Sequence, residues 1–161
     1  MQTPLQFSHE LIKGKIAEMI FEQLLRDAGG FTILDFGYEK VVPELARMHK
    51  DKEARKTLDV VRRAPDFAII NHDTGKVHLI EVKYRSSPSE ADNLRIAKRM
   101  AESWNPSYLF LATPEGFFFN SVEKILEQGG CMDSLNHKNI TPELQENYLA
   151  MLNEFIVHSE K

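Results

Sequence analysis

The sequence contains a single cysteine, Cys131, which excludes an intramolecular disulfide and a cysteine-ligated zinc cluster. It contains no apolar run long enough to span a bilayer, and Met1 to Phe7 lacks the basic and apolar regions of a secretion signal. The six histidines have no metal-ligand spacing. One unpaired thiol fits a reducing compartment, so we expect a cytoplasmic protein with no membrane partner.

The sequence has fewer basic than acidic residues, since its 20 lysines and arginines and 24 aspartates and glutamates give a net charge of −4. Phosphate binding relies on Lys and Arg, so this total is unfavourable for a nucleic-acid partner. Acids collect towards the C-terminus, whereas the middle third holds a basic set: Lys50, Lys52, Arg55, Lys56, Arg62, Arg63, Lys83, Arg85, Arg95, Lys98 and Arg99. A basic face opposite an acidic one would suit nucleic acid, although solvated surface charge explains any single residue nearly as well.

The length and composition predict one soluble globular domain, since the chain has 161 residues, of which 42% are hydrophobic and 27% charged. We find no internal repeat, low-complexity linker or domain boundary. Apolar residues at three- and four-residue spacing predict a first helix from Ser8, its N-cap, to Ala28, ended by Gly29-Gly30. Further helices are predicted over Glu90–Trp104, with Leu94, Ala97, Ala101 and Trp104 as its apolar side, over Val122–Glu127, and over Thr141–Val157.

Strands are predicted between these helices, which makes the chain an α/β domain around a mixed sheet. Their positions are Phe31–Phe36, Asp66–Ile70, Val77–Lys83, Tyr108–Ala112, whose continuous apolar run indicates cover on both faces, and Phe117–Phe119. Pro43 to about Lys56 is charged and helix-prone. Thr57 to Ala64 is ambiguous between a helix end and a strand that leads into the next one.

The most informative feature is the pair of strands on either side of the turn-forming segment Asn71–Gly75, a pattern typical of a β-hairpin. Asp66 begins the first strand, and Glu81 and Lys83 lie near the end of the second. Since side chains alternate along a strand, Glu81 and Lys83 point the same way. A hairpin that brings Asp66 beside Glu81 gathers two carboxylates and an ammonium, a set that suits Mg²⁺ and an attacking water.

Pro65-Asp66 followed by Glu81-Val82-Lys83 resembles the PD-(D/E)xK nuclease superfamily, which includes restriction endonucleases, Holliday junction resolvases and repair nucleases. The resemblance covers most of the chain up to about Glu127. It implies a restriction-endonuclease-like core over about residues 8–127, a central mixed sheet flanked by helices. The helix over about residues 141–158 is then an extra C-terminal appendage with no assigned role.

The resemblance also implies roles for individual residues. Asp66, Glu81 and the backbone carbonyl of Val82 would hold Mg²⁺, with Mn²⁺ as a substitute, and Lys83 would orient the attacking water. Glu18 would match the family's helix acid and hold a second metal or an outer-shell water; it lies nearer the apolar stripe of the first helix than Glu22 does, and it follows a glycine, Gly14. The alternatives are an ordinary residue at the start of a strand for Asp66, a surface pair for Glu81 and Lys83, and an exposed helix acid for Glu18.

The cations that follow the hairpin are expected to contact DNA phosphates, which positions a duplex without reading its sequence. These residues are Arg85, Arg95, Lys98 and Arg99, whereas Tyr84 points away from Glu81 and Lys83 and is expected to pack rather than stack on a base.

These features favour a Mg²⁺-dependent nuclease that hydrolyses DNA phosphodiester bonds, and we expect a homodimer because one small domain does not easily cut both strands. The alternative is a non-catalytic nucleic-acid-binding or assembly module that retains the nuclease fold. A small-molecule enzyme is disfavoured because the sequence has no phosphate or cofactor loop.

Overall fold

The structure, a computed structural model, describes residues 2–37, 56–57, 60 and 63–159. The predicted charged segment from Pro43 to Lys56 lies almost wholly outside the described residues. So does part of the ambiguous segment from Thr57 to Ala64, together with four residues of the basic set: Lys50, Lys52, Arg55 and Arg62.

The α/β class is confirmed, since helices flank a five-stranded mixed sheet. The elements in chain order are α1 (Pro4–Ala28), β1 (Phe31–Asp35), β2 (Phe67–Asn71), β3 (Val77–Tyr84), α2 (Glu90–Ser103), β4 (Tyr108–Thr113), β5 (Gly116–Ser121), α3 (Val122–Glu127) and α4 (Pro142–Ser159). Among the helices that the structure describes, none has both the length and the apolar character of a membrane span.

The sheet follows the chain, with strand order β1-β2-β3-β4-β5. All neighbouring pairs are antiparallel except β3 and β4, which are parallel and joined by α2. A parallel pair requires such a crossover, and a helix commonly supplies it. The strand β4 is buried along nearly its whole length, as its apolar run predicted.

The predicted β-hairpin is confirmed by the antiparallel pairing of β2 with β3, in which Ala68 faces Leu79 and Ile70 faces Val77. The Asn71 side-chain oxygen accepts hydrogen bonds from the backbone N–H groups of Asp73 at 2.9 Å and Thr74 at 3.4 Å. An Asn side chain that binds the backbone in this way stabilises a turn. The hairpin therefore has the local cause that the sequence indicated.

The helix α1 begins earlier than predicted, so the assignment of Ser8 as its N-cap is wrong. Thr3 is the N-cap: its hydroxyl accepts from the Gln6 N–H at 3.1 Å, and the Gln6 side chain accepts from the Thr3 N–H at 2.8 Å. This reciprocal pair and Pro4 at the first helical position are standard start signals. The end is as predicted, at Gly29, whose φ of 76° favours glycine.

The helix α2 also differs from its prediction in the face that it buries. The predicted apolar side was Leu94, Ala97, Ala101 and Trp104, whereas the buried residues are Asn93, Ile96, Ala97 and Met100. This face packs against Leu109, Val122 and Ile125 of β4 and α3. The amide N–H of the polar Asn93 donates a hydrogen bond to the Gly130 carbonyl at 3.0 Å, which compensates part of the cost of its burial.

The main core lies on the other face of the sheet and is shared by α1 and α4. Consecutive residues of β4 divide between the faces, since Leu109 contacts the α2 side and Phe110 the α1 side. The predicted cap of α4 is confirmed, because the Thr141 hydroxyl accepts from the Leu144 N–H at 3.2 Å. The helix α4, for which the sequence offered no role, contributes Tyr148, Leu152 and Ile156 to the main core.

Replacing Leu152, which is 0% exposed, by alanine is expected to lower the free energy of unfolding by about 2–5 kcal/mol, the usual effect of a cavity in a packed core. Met151 is 42% exposed on the same helix, so Met151→Ala is a matched control that should change stability little. Urea denaturation of both variants measures the difference. Equal, small effects would contradict the packing of α4 into the main core.

Candidate active site

Asp66 joins the two halves of the sequence motif. It directly precedes β2, and its side-chain Oδ2 accepts a hydrogen bond from the backbone N–H of Val82 at 2.8 Å. Its own backbone carbonyl accepts from the N–H groups of Phe36 at 2.9 Å and Gly37 at 3.1 Å. Asp66 is therefore fixed from both sides, and its carboxylate is held against the strand that carries Glu81 and Lys83.

Glu81 and Lys83 occupy one face of β3, because Ile80, Val82 and Tyr84 on the opposite face are buried in the main core. The Lys83 Nζ lies 3.5 Å from Glu81 Oε1, with side-chain exposures of 38% and 15%. The burial of Tyr84 in the main core confirms the prediction that its side chain packs. Glu81 is a carboxylate largely withdrawn from water, a costly arrangement that requires compensation.

Both carboxyl groups of the pair have a raised pKa, and burial is the largest cause for each. Burial, and then the charge of Glu81, raise the pKa of Asp66 to about 7, well above its ordinary value. Burial likewise raises the pKa of Glu81; the charge of Lys83 opposes this rise, and the charge of Glu18 adds to it. When both are ionised, the carboxylates of Asp66 and Glu81 carry more negative charge than the adjacent ammonium of Lys83 balances, so a further positive charge beside this pair would be favourable.

Glu18 reaches the same site from α1. Its side chain is only 15% exposed and lies 3.5 Å from the Lys15 Nζ, while Gly14, one turn earlier, lines the same cleft. Glu22, the other acid on this part of α1, instead pairs with Arg26 at 2.8 Å and does not line the cleft. The structure therefore brings Glu18 rather than Glu22 to the acidic pair.

A cleft of about 650 Å³ contains these groups. Six cations line it, Lys15, Arg63, Lys83, Arg85, Arg95 and Arg99, together with four acids, Glu10, Glu18, Asp66 and Glu81. Cations thus outnumber acids here although the chain as a whole is acidic. A cleft lined by an excess of one charge attracts the opposite charge, and this one is suited to phosphate.

Three of the four predicted phosphate contacts, Arg85, Arg95 and Arg99, line the cleft, whereas Lys98 is exposed outside it. Among the described residues, no ion pair or hydrogen bond engages Arg99. Arg85 and Arg95 are both bound to one carboxylate, that of Asp92.

Sequence reasoning missed Lys15 and Asp92, and it named Arg63 only as a member of the basic set, without a place in the site. The spacing of Lys15 from Glu18, and of Asp92 from Arg95, is three residues on a helix, which is a recognisable pairing signal. Arg63 reaches the cleft through irregular chain, and no local pattern indicates its position.

The donor set fits a hard divalent cation. Within the described ranges, no group of three or more His, Cys, Asp and Glu side chains is arranged to hold a metal ion. Mg²⁺ does not need such a group, since it keeps several waters and is commonly bound through one or two carboxylates. Asp66 and Glu81 supply these carboxylates, and burial raises the pKa of both.

No protein-family model matches this sequence, and a search of curated proteins also finds no match.

Proposed function

We propose that this protein is a Mg²⁺-dependent nuclease of the PD-(D/E)xK type, with a restriction-endonuclease-like core, that hydrolyses DNA phosphodiester bonds. The observation that carries the proposal is the hydrogen bond from the Val82 N–H to Asp66, which holds this carboxylate beside Glu81 and Lys83. The excess of cations around these acids supports a polyanionic substrate. We further propose that the protein is cytoplasmic and acts as a homodimer, so that two clefts serve two strands.

In the proposed reaction, Asp66, Glu81 and the Val82 carbonyl would hold the cation, and Glu18 would hold a second cation or an outer-shell water. Bound Mg²⁺ or Mn²⁺ supplies a Lewis acid that polarises a phosphate oxygen and acidifies a water. The Lys83 ammonium would orient the attacking water and compensate the negative charge that grows on the phosphate. Hydrolysis forms a bond between the water oxygen and phosphorus and breaks one phosphorus–oxygen bond to a sugar, whose oxygen leaves with a proton.

The arginines of the cleft extend the site along the nucleic-acid backbone. Arg85, Arg95 and Arg99 would contact phosphates next to the scissile one, and Lys98 would contact the backbone further out. Such contacts fix the position of the substrate and do not read its sequence.

Two assays test the proposal, and Glu81→Gln serves in both because it removes one charge with little change in shape. Wild type is expected to gain thermal stability from Mg²⁺ or Mn²⁺, since a ligand that binds only the native state stabilises it, and to nick or linearise supercoiled plasmid. Glu81→Gln is expected to lose both responses. Wild-type protein that neither responds to these cations nor cuts plasmid, single-stranded DNA or RNA would disprove the proposal.

A second function, a nucleic-acid-binding or assembly module without catalysis, is favoured by one observation. The described residues offer the cation only two closely placed carboxylates, with no larger group of metal-ligating side chains. Such a module would bind DNA in the cationic cleft without responding to Mg²⁺, and Glu81→Gln would bind at least as tightly as wild type because it carries less negative charge.

A further inference from the structure

Asp92 binds two arginines of the cleft at once. Its Oδ2 accepts from Arg85 Nε at 2.6 Å, and its Oδ1 accepts from Arg95 Nη2 at 2.7 Å. Arg85 makes a second bond, from Nη1 to the Tyr84 carbonyl at 2.9 Å. The two guanidinium groups, one after β3 and one on α2, are thereby fixed relative to each other and to the strand that carries Lys83.

The carboxylate itself is also anchored. Asp92 lies in the first turn of α2, and its backbone N–H donates to the Ser89 hydroxyl at 3.1 Å. Its side chain is 25% exposed, against 32% for Arg85 and 60% for Arg95. The Arg95 side chain thus remains accessible to solvent, while its ion pair with Asp92 fixes its orientation.

A negative charge at this place needs an explanation, because it weakens the attraction of the cleft for phosphate. A contribution to stability explains it poorly, since partly exposed ion pairs contribute little to folding. The orientation of the two arginine side chains explains it better. A guanidinium presents its N–H groups in a planar fork, and holding that fork in place reduces the conformational entropy lost when an anion binds.

We propose that Asp92 is a positioning residue that sets Arg85 and Arg95 as the walls of a second phosphate subsite, which Arg99 completes. Arg99 lies four residues after Arg95 on α2, so the two side chains share one face of the helix, and both line the cleft with Arg85. The subsite takes a phosphodiester next to the one held at Asp66 and Glu81. The ligand class, a nucleic-acid backbone, rests on the proposed function.

The test compares Asp92→Asn with Glu90→Gln. Each variant removes one negative charge from the first turn of α2, but among the described residues the exposed Glu90 side chain contacts no arginine. Binding of fluorescein-labelled single- and double-stranded oligonucleotides is measured without divalent cations over a range of salt concentrations, and cleavage is measured separately with Mg²⁺.

Positioning and simple charge predict opposite signs for Asp92→Asn. If Asp92 only contributes charge, its loss tightens DNA binding as much as Glu90→Gln does. If it positions the arginines, Asp92→Asn weakens binding about tenfold, the effect of losing one charge-assisted contact. The slope of the logarithm of the binding constant against the logarithm of the salt concentration then falls by about the contribution of one phosphate contact. We expect the second result, together with an increased KM for cleavage that exceeds any change in kcat.

Two further variants keep the test independent of folding defects. Asp92→Glu retains the charge and should restore part of the affinity, whereas Arg85→Lys retains its charge but loses the Nε bond and should bind as weakly as Asp92→Asn. Asp92→Asn that binds as tightly as Glu90→Gln overturns the subsite while leaving the nuclease proposal standing if wild type cuts. If wild type binds DNA but never cuts it, and Asp92→Asn binds about tenfold more weakly, the subsite is supported and the nuclease proposal is overturned. If wild type neither binds nor cuts DNA, both proposals are overturned.

Discussion

Replacing Lys83 by alanine is expected to reduce cleavage of supercoiled plasmid by about 10²- to 10³-fold, the usual effect of removing one preorganised stabiliser of transition-state charge. Binding of Mg²⁺ should be retained or tighter, because the variant removes a cation that lies 3.5 Å from Glu81 and repels the metal. Loss of cleavage with intact metal binding is the result that separates a catalytic lysine from a structural one.

Lys124→Ala is the matched control for this prediction. Lys124 also forms an ion pair with a carboxylate, that of Asp133 at 3.0 Å, but it lies on α3 and does not line the cleft. The two alanine variants and wild type are compared by plasmid cleavage and by Mg²⁺-dependent shifts in melting temperature. Equal cleavage by wild type and Lys83→Ala would place the chemistry elsewhere. Loss of the Mg²⁺-dependent shift in Lys83→Ala would mean that the lysine serves to position Glu81 and not to act on the substrate.

The part of the site that the sequence predicted depends on local rules. Asn71 to Gly75 favours a turn, and two flanking runs with strand character can then pair only in a narrow set of registers. Alternation along β3 brings Glu81 and Lys83 to one face without any knowledge of the rest of the fold. For the same reason the burial of Tyr84 could be predicted.

The buried face of α2 depends on distant parts of the chain, and there the sequence prediction is only partly right: Ala97 is buried and Ala101 packs beside it, whereas Asn93, Ile96 and Met100 take the places given to Leu94 and Trp104. Asn93 looks like a surface residue until Gly130, far along the chain, supplies a carbonyl for its amide. Trp104 looks like a core residue but ends the helix and donates its indole N–H to the Val60 carbonyl at 2.8 Å. Neither partner can be found by helical periodicity, because both contacts are set by tertiary packing.

The start of α1 is a different kind of error, since its signals were present in the sequence. Thr3, Pro4 and Gln6 form a capping box with proline at the first helical position. Asp92 lies between these cases: its spacing to Arg95 is a local signal, whereas its contact with Arg85 depends on the path of the loop after β3.

Replacing Asp66 by asparagine is expected to stabilise the metal-free protein while abolishing its activity. Burial and the charge of Glu81 raise the pKa of Asp66 from 3.8 to about 7, so the ionised carboxylate disfavours the folded state. Converted at the usual free energy per pH unit, and reduced because the side chain is partly exposed, this is about 2–4 kcal/mol at pH 8. The amide oxygen of asparagine can still accept the Val82 N–H, so the fixed geometry is retained.

The gain depends on pH in a defined direction. Below about pH 4 the carboxyl is protonated in both the folded and the unfolded chain, and wild type and Asp66→Asn should differ little. As the pH rises towards 7, the unfolded chain releases this proton while the folded chain keeps it, so the stability of wild type falls. Asparagine has no proton to release. The difference in unfolding free energy should therefore grow from pH 4 to 7 and stay constant above.

Asp73→Asn is the matched control, because it makes the same substitution in the turn of the same hairpin. Hydrogen bonding to Lys138 and the charge of that lysine lower the pKa of Asp73, so this variant should be no more stable than wild type. Urea denaturation at pH 5, 7 and 8, with and without Mg²⁺, measures all three proteins. A gain in Asp73→Asn equal to that in Asp66→Asn would show that the effect is general to the surface charge and not specific to the acidic pair.

Magnesium should reverse the order of stability. At pH 8 it supplies the positive charge that Asp66 and Glu81 lack, so it should stabilise wild type and leave Asp66→Asn unchanged. At pH 6, where the folded chain still carries the proton, binding must displace that proton and should be weaker. Stabilisation of Asp66→Asn by Mg²⁺ would place the metal away from the pair. A fold that gains stability when Asp66 loses its charge does not need that carboxylate for folding, which leaves chemistry at the cleft as the reason for its position.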